Sequence, residues 1–393
     1  MNIEGKLRIE LHRQEESISQ VRILSSRPLQ LPRLFEGKPV AELLGMVPML
    51  YSVCGTAQAC AAVQACRQAM SLDVESQVAL AEQMLVTVET AREHLWRILI
   101  DWSTFANKPI DRPLVASLST LIPTAKSACF AKSDLFTLKP ALQFDEKKFV
   151  SIIEQIANTT SNAVFAEQPS VLHAMSNIDS FNHWLDVTKT SSSTLLQDLR
   201  DQQTGHLGDG GMYPLPAIDP QEMSQRLAQA DADYFIATPD WQGGNYETTP
   251  LTRMASHPLL QQLVQYYGFG LMTRMMARLL ELASIPEALY RQVQTLVSIQ
   301  ENTENATPES IEQQGLGEVE AARGRLIHRA VQQDGIIKSY QILAPTEWNF
   351  HPQGVVARGL QKLPAENLSF LRQQADLFIN AVDPCVGYQL EIV

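Results

Sequence analysis

Three places in this chain combine residue types and spacings suited to chemistry. The first is the pair Arg323 and Thr346. Residues 326–331 and 336–343 alternate apolar and polar side chains and flank Asp334-Gly335. Asp-Gly between such runs is the strongest short-range signal for a β-hairpin, because a type I′ turn needs positive φ at both central positions. Pairing outward from a two-residue turn sets Arg323 opposite Thr346, and facing residues hold their Cβ atoms about 5 Å apart. The hairpin then delivers a permanently charged guanidinium and a small hydroxyl, with Pro345 beside them, to one spot. An ordinary exposed hairpin end with a solvated arginine fits the same pattern. The second place is Cys54, followed by Gly55 and an alanine-rich helix that Thr56 can cap. A thiol at a helix N-terminus is biased toward the thiolate. The third is Cys385, in Asp383-Pro384-Cys385. Cys60 and Cys66 fall inside the helical pattern and read as small core hydrophobes.

The elements that must carry these residues are mostly helices. Residues 5–12 and 20–26 read as two short strands, and residues 40–46 as a short helix. The clearest helix spans residues 74–102, where Val78, Ala81, Leu85, Val88, Leu95, Leu99 and Trp102 recur at helical spacing. His94 on it reads as solvated. Further helices are expected at residues 147–158, 164–187, 191–202, 220–230, 257–283, 286–300 and 364–381, with loops at 204–213 and 237–250. Residues 301–310 form a polar linker ahead of the hairpin. The expected class is mostly α with small β elements (α+β): long central helices, N-terminal strands and a β-hairpin in the C-terminal half.

The totals narrow the function. A chain of 393 residues can bury a large core and usually makes about two or three domains. With 45% hydrophobic and 19% charged residues it is globular in composition. The net charge of −12 disfavours a nucleic-acid or anionic-membrane surface, which needs clustered Lys and Arg. No export signal is read at the N-terminus and no run approaches the length of a membrane span. The five cysteines are odd in number, scattered and without a CxxC pair. That pattern suits a reducing cytoplasm and disfavours zinc or iron–sulfur sites of the usual spacing.

Several segments, in order along the whole chain, resemble the large subunit of nickel–iron hydrogenases. Ile3-Glu4-Gly5-Lys6-Leu7-Arg8-Ile9-Glu10 is similar to the family's Arg-Ile-Glu-Gly-His-Leu-Arg-Ile-Glu opening, and Arg33-Leu34-Phe35-Glu36-Gly37 to its Arg-Gly-x-Glu. Val53-Cys54-Gly55-Thr56-Ala57 stands where the family has Arg-x-Cys-Gly-x-Cys. Residues 246–253 resemble its Glu-x-Gly-Pro-Leu-Ala-Arg. Arg274 to Arg278 with Glu281 resembles its Gly-Arg-x-x-Ala-Arg-x-x-Glu helix. The segment from Ala321 to Asn349 is similar to its Ala-Pro-Arg-Gly-x-Leu-x-His hairpin ending in Pro-Thr-x-Trp-Asn, with Ala322 in place of the proline. Asp383-Pro384-Cys385 resembles its Asp-Pro-Cys-x-x-Cys-x-x-His. The resemblance implies one large-subunit-like domain over 1–393, made of a β-containing segment (1–50), a helical core (51–310) and the hairpin with C-terminal helix and tail (311–393).

The departures shape the functional expectation. Family enzymes hold nickel with four thiolates, two of which also bridge to iron. Cys54 and Cys385 match the two terminal thiolates, but Ala57 and Tyr388 stand at the bridging positions, Ala61 replaces a histidine and Glu391 replaces the last one. Nickel binding and hydrogen turnover are therefore not expected, since metal affinity follows ligand count and type. Arg323, Pro345 and Thr346 match residues that contact cyanide ligands of the iron, and Leu326 matches the carbonyl pocket. Glu4 matches a proton-relay glutamate, with a structural carboxylate as the alternative; Glu36 matches a magnesium ligand, with a solvated loop residue as the alternative. The resemblance is to degenerate accessory homologues of the HupK/HoxV type. It implies a non-catalytic maturation scaffold that takes an Fe(CN)2(CO) unit from the HypC–HypD complex and passes it to a hydrogenase large-subunit precursor. The rival expectation is a metal-free structural subunit, like the hydrogenase-like subunit of respiratory complex I. An active enzyme with an altered metal site is a third.

Overall fold

The computed structural model describes residues 5–51, 53–132, 135–299, 304–305 and 313–393. Glu4 and most of the linker at residues 301–310 lie outside the described residues. The two N-terminal strands are present as β1 (Lys6–Gln14) and β2 (Ser17–Ser25), antiparallel about Glu15-Glu16. Their alternation buries Leu7, Ile9, Leu11, Ile18 and Ile23.

Two helices then build the wall of the site: α1 (Gly55–Ala69) and α2 (Ser76–Trp96). Every apolar residue singled out between Val78 and Trp102 is buried. The helix runs on through a π-helical segment, Arg97–Trp102, so its axis continues as the spacing predicts. Other expectations need correction. The pattern over residues 164–187 is not one helix. A π-helical turn ends at Ala166, which is left-handed at φ 51, and separate helices follow at Pro169–His173 and Ile178–Val187. Pro169 and the capping residue Asn177 supply the breaks. Conversely, the break expected before Pro286 is absent. The chain interrupts at Gly268, with φ 57, and then runs as one helix, α3 (Leu271–Ser298), straight through Pro286. A mid-helix proline costs about 3 kcal/mol; burial of Leu279, Leu280, Leu282, Ile285 and Leu289 around it offsets that cost.

The second sheet contains a strand that was not anticipated: β3 (Gln314–Ala321), followed by β4 (Gly324–Gln333) and β5 (Ile336–Leu343), in that order. Asp334 and Gly335 have φ 52 and φ 76, so the type I′ turn forms and Gln333 faces Ile336. A bulge between Val331 and Gln332 then shifts the register, so Val331 faces Ser339 and pairing ends at Ile327 with Leu343. An extra residue in one strand moves every later pair by one. Arg323 therefore does not face Thr346 across this hairpin. It sits in the tight turn between β3 and β4, where Ala321 faces Gly324. Thr346 is in a short helix, α4 (Pro345–Asn349).

After α5 (Leu368–Val382), the tail folds back as a strand, β6 (Gly387–Ile392), which pairs in parallel with β1 from Lys6 with Gly387 to Leu11 with Ile392. The first and last strands thus share one sheet. Helix α1 packs against β3 at two glycines. A Cβ on Gly317 would lie 2.0 Å from the Ala61 carbonyl oxygen, and one on Gly315 would lie 2.2 Å from that of Ala65. Among the described residues no helix is long and apolar enough to cross a membrane.

Candidate functional site

Four chain segments meet at the two cysteines. Cys54 caps the N-terminus of α1, and Cys385 lies between α5 and β6. Both are buried and their thiols hydrogen-bond to each other. The Cys385 backbone N–H donates to Thr346 Oγ1 at 3.0 Å, which ties the tail to α4. Arg323 comes from the β3–β4 turn, and its charge acts on both sulfurs. Arg323 and Thr346 thus reach one site, though by a different route from strand pairing. Gly324 makes the turn possible. It has φ +127, and a Cβ there would lie 1.6 Å from the Thr248 carbonyl oxygen. Asn349 clamps turn to helix, with its Nδ2 donating to the Arg323 carbonyl at 3.0 Å and its Oδ1 accepting from Thr248 N–H at 2.8 Å.

The two sulfurs are not equivalent. The hydrogen bond from Cys54 lowers the Cys385 thiol to about 7, with Arg323, Thr346 and Arg27 acting in the same direction against burial. The same bond, with burial, pushes Cys54 up. This reverses the expectation that the helix N-terminus favours a Cys54 thiolate. The N–H groups of Thr56 and Ala57 are already taken by the buried Glu89 carboxylate, each at 2.9 Å. Thr56 lies inside the helix and does not cap it.

Arg323 is held from both sides. Its Nη1 donates to Glu93 at 3.0 Å and its Nε lies 3.2 Å from Asp383. Asp383 also pairs with Arg97 and, at 3.2 Å, with Arg278. Burial would raise Asp383, but Arg323, Arg97 and Arg278 outweigh it and hold the carboxyl well below the usual range. Arg27 is a second cation near the sulfurs, 2.7 Å from Glu347. Burial opposes its charge, yet Glu347, Cys385, Tyr51 and Cys54 together favour it. No pattern in the sequence marks Arg27.

A buried polar chain reaches Cys54 from behind. Tyr340 Oη lies 2.6 Å from His328 Nδ1, His328 Nε2 lies 2.8 Å from Gln58 Oε1, and Gln58 Nε2 lies 3.7 Å from Cys54 Sγ. Burial pushes His328 down to about 3, so the ring is neutral. His328 stands at the histidine of the hairpin motif, and that was its only sequence signal.

The remaining candidates divide. Pro345 is buried in the first turn of α4, and Leu326 is buried on β4 opposite Val319. Glu36 is exposed, after the turn Leu31–Phe35. Tyr388, on β6, donates to Asp376 at 3.1 Å, and Ala57 is buried in α1. Both bridging positions are thus filled by side chains serving the fold. His94 is not solvated: it is buried, 2.7 Å from Glu281, which Arg253 also grips. Helical spacing placed His94 correctly on the helix but could not show that α3 covers that face. The motif residues Glu247 and Arg274 form a buried two-pronged ion pair at 3.0 and 3.1 Å. Among the described residues, no group of three or more His, Cys, Asp or Glu side chains is arranged to hold a metal ion.

Residues 155–366 match the family model described as nickel-dependent hydrogenase. The chain is 27% identical to the hydrogenase expression/formation protein HupV of Azotobacter chroococcum mcd 1, over 99% of each chain. It is 28% identical to the hydrogenase expression/formation protein HoxV of Cupriavidus necator, over 94% of this chain and 92% of that one. It also superposes on the Ni-Fe-Se hydrogenase of D. vulgaris Hildenborough with a TM-score of 0.68 at 16% identity, covering 95% and 94% of the two chains.

Proposed function

Because the chain belongs to the nickel-dependent hydrogenase large-subunit family, with a mostly helical large-subunit fold, we propose that it is an accessory of hydrogenase maturation that carries iron and does not turn over hydrogen. The observation that carries this reading is the buried Cys54–Cys385 pair, with Ala57 and Tyr388 at the two bridging positions. Two sulfurs can anchor one iron. They cannot supply the four thiolates of a dinuclear site, so nickel has no place here. The names of the full-length relatives, hydrogenase expression/formation proteins, support the same role.

In this reading the cargo is an Fe(CN)2(CO) unit, received from the HypC–HypD complex and passed to a large-subunit precursor. Cys54 and Cys385 ligate the iron as thiolates, and their thiol protons leave as the iron arrives. Arg323 and the Pro345-Thr346 corner face the cyanides, whose nitrogens are partly negative acceptors suited to a guanidinium or hydroxyl in a dry pocket. Leu326 contributes the apolar side. Since Arg323 is already fixed by Glu93 and Asp383, it needs no reorganisation to meet the cargo. Two thiolates also suit release, which a four-thiolate cage would oppose.

The test is infrared spectroscopy of protein purified from cells that express the maturation proteins. Cyanide and carbonyl bands are expected, with iron lost in a Cys54→Ala, Cys385→Ala variant. Absent bands, with equal iron in wild type and variant, overturn the reading. Thr346→Val should lower iron occupancy severalfold and leave Cys385 N–H unpaired, at a stability cost of about 1–3 kcal/mol by thermal unfolding. A metal-free structural subunit would instead co-purify with a membrane complex and show no effect of Thr346→Val beyond stability.

A further inference from the structure

The chain Tyr340–His328–Gln58–Cys54 has a direction, and that direction can be worked out from donors and acceptors alone. The amide of Gln58 could in principle present either end to the sulfur, and an imidazole could carry its proton on either nitrogen. Two self-consistent networks result. In one, Tyr340 O–H donates to His328 Nδ1, His328 Nε2–H donates to Gln58 Oε1, and Gln58 N–H points at Cys54 Sγ. In the other every donation is reversed, and Cys54 S–H donates toward the Gln58 oxygen.

The Tyr340 end rejects the reversed network. Tyr340 is 2% exposed, and among the described residues its hydroxyl has one hydrogen-bond partner, His328 Nδ1. Reversal would bury a phenolic proton with no acceptor, which costs about 1–3 kcal/mol. All four members are buried, so water cannot repair a mismatch: Gln58 is 1% and His328 0% exposed.

We infer that Tyr340, His328 and Gln58 are a positioning relay that aims the Gln58 amide N–H at the Cys54 sulfur, making Cys54 the oriented anchor for a thiolate-bound cargo. This role rests on the proposed function for the cargo, while the direction of the relay does not. Tyr340 sets the tautomer of His328, His328 sets the flip of Gln58, and Gln58 sets the sulfur orientation. The amide N–H remains a donor when the Cys54 proton is displaced. It then withdraws density from the ligating sulfur, which loosens its donation to iron. Cys385 is treated differently, since its segment is held through Thr346 and its sulfur lies next to Arg323.

Two measurements test this. Imidazole nitrogen NMR of the metal-free protein should show His328 in the Nε2–H tautomer, with the preference relaxed in Tyr340→Phe. An Nδ1–H tautomer in the wild type overturns the relay whatever the cargo. In loaded protein, Gln58→Met should shift the carbonyl band to lower frequency at wild-type iron content, because the sulfur regains density. An unshifted band at wild-type iron content overturns the positioning role. Loss of all bands in the wild type counts against the proposed function, and the tautomer result still decides the relay.

Discussion

At the residue scale the site is governed by charge pairing in a dry interior. Asp383 is the hub: it is left-handed at φ 69, closes α5, and meets Arg97, Arg278 and Arg323. Asp is among the few residue types that tolerate this conformation well. Removing one partner of a buried ion pair typically costs about 3–5 kcal/mol, so Asp383→Asn should lower the unfolding free energy by about that much in a denaturant titration. The pH dependence follows. The folded-state pKa of Asp383 is depressed below the unfolded value of about 3.9, so its stabilisation is complete above about pH 5 and fades as pH falls. Wild-type stability should therefore fall more steeply on acidification than that of Asp383→Asn. Parallel acid limbs would show that Asp383 is not the hub. The sequence displayed Cys54, Cys385, Arg323 and Thr346 as candidates, but it could not reveal Glu93, Arg27 or Gln58, whose neighbours lie far away in the chain.

At the element scale, the contact of α1 with β3 sets where Cys54 stands. Gly315 and Gly317 let the helix backbone touch the strand at Ala65 and Ala61. Gly317→Ala would force a methyl group against the Ala61 carbonyl, seven residues along from Cys54. Such overpacking costs about 1–3 kcal/mol or more. The expected outcome is a lower denaturation midpoint together with faster alkylation of Cys54. Unchanged Cys54 reactivity would mean that the helix end is held by Glu89 alone. The hairpin shows how local reasoning fails at this scale. Asp334-Gly335 carried a valid turn signal, and the turn formed. The bulge at Val331 and Gln332, invisible in the apolar pattern, shifted the register, and the pairing of β3 with β4 put Arg323 in a different turn.

At the scale of the whole molecule, the site exists because distant segments close on one another. Cys385 is placed by the parallel pairing of β6 with β1 and by α5 before it. Deleting residues 387–393 should free the segment around Cys385, making it reactive to thiol reagents while Cys54 stays protected, and should lower the melting temperature. Continued protection of Cys385 would show that α5 and Asp383 hold it unaided.

The linear order of the chain determined the helical class, the long α2, the N-terminal strands and the short motifs, because these depend on periodicity and on turn residues acting over a few positions. It also displayed Ala57 and Tyr388 at two positions where the family resemblance expects cysteines. The tertiary structure decided the rest: the strand β6, the burial of His94 and the burial of Asp383 among three arginines. It also decided that Cys54 is pushed up and Cys385 lowered, because the two thiols meet in a buried site beside Arg323 and Arg27. Electrostatics and desolvation act through space, so the order of residues along the chain does not encode them directly.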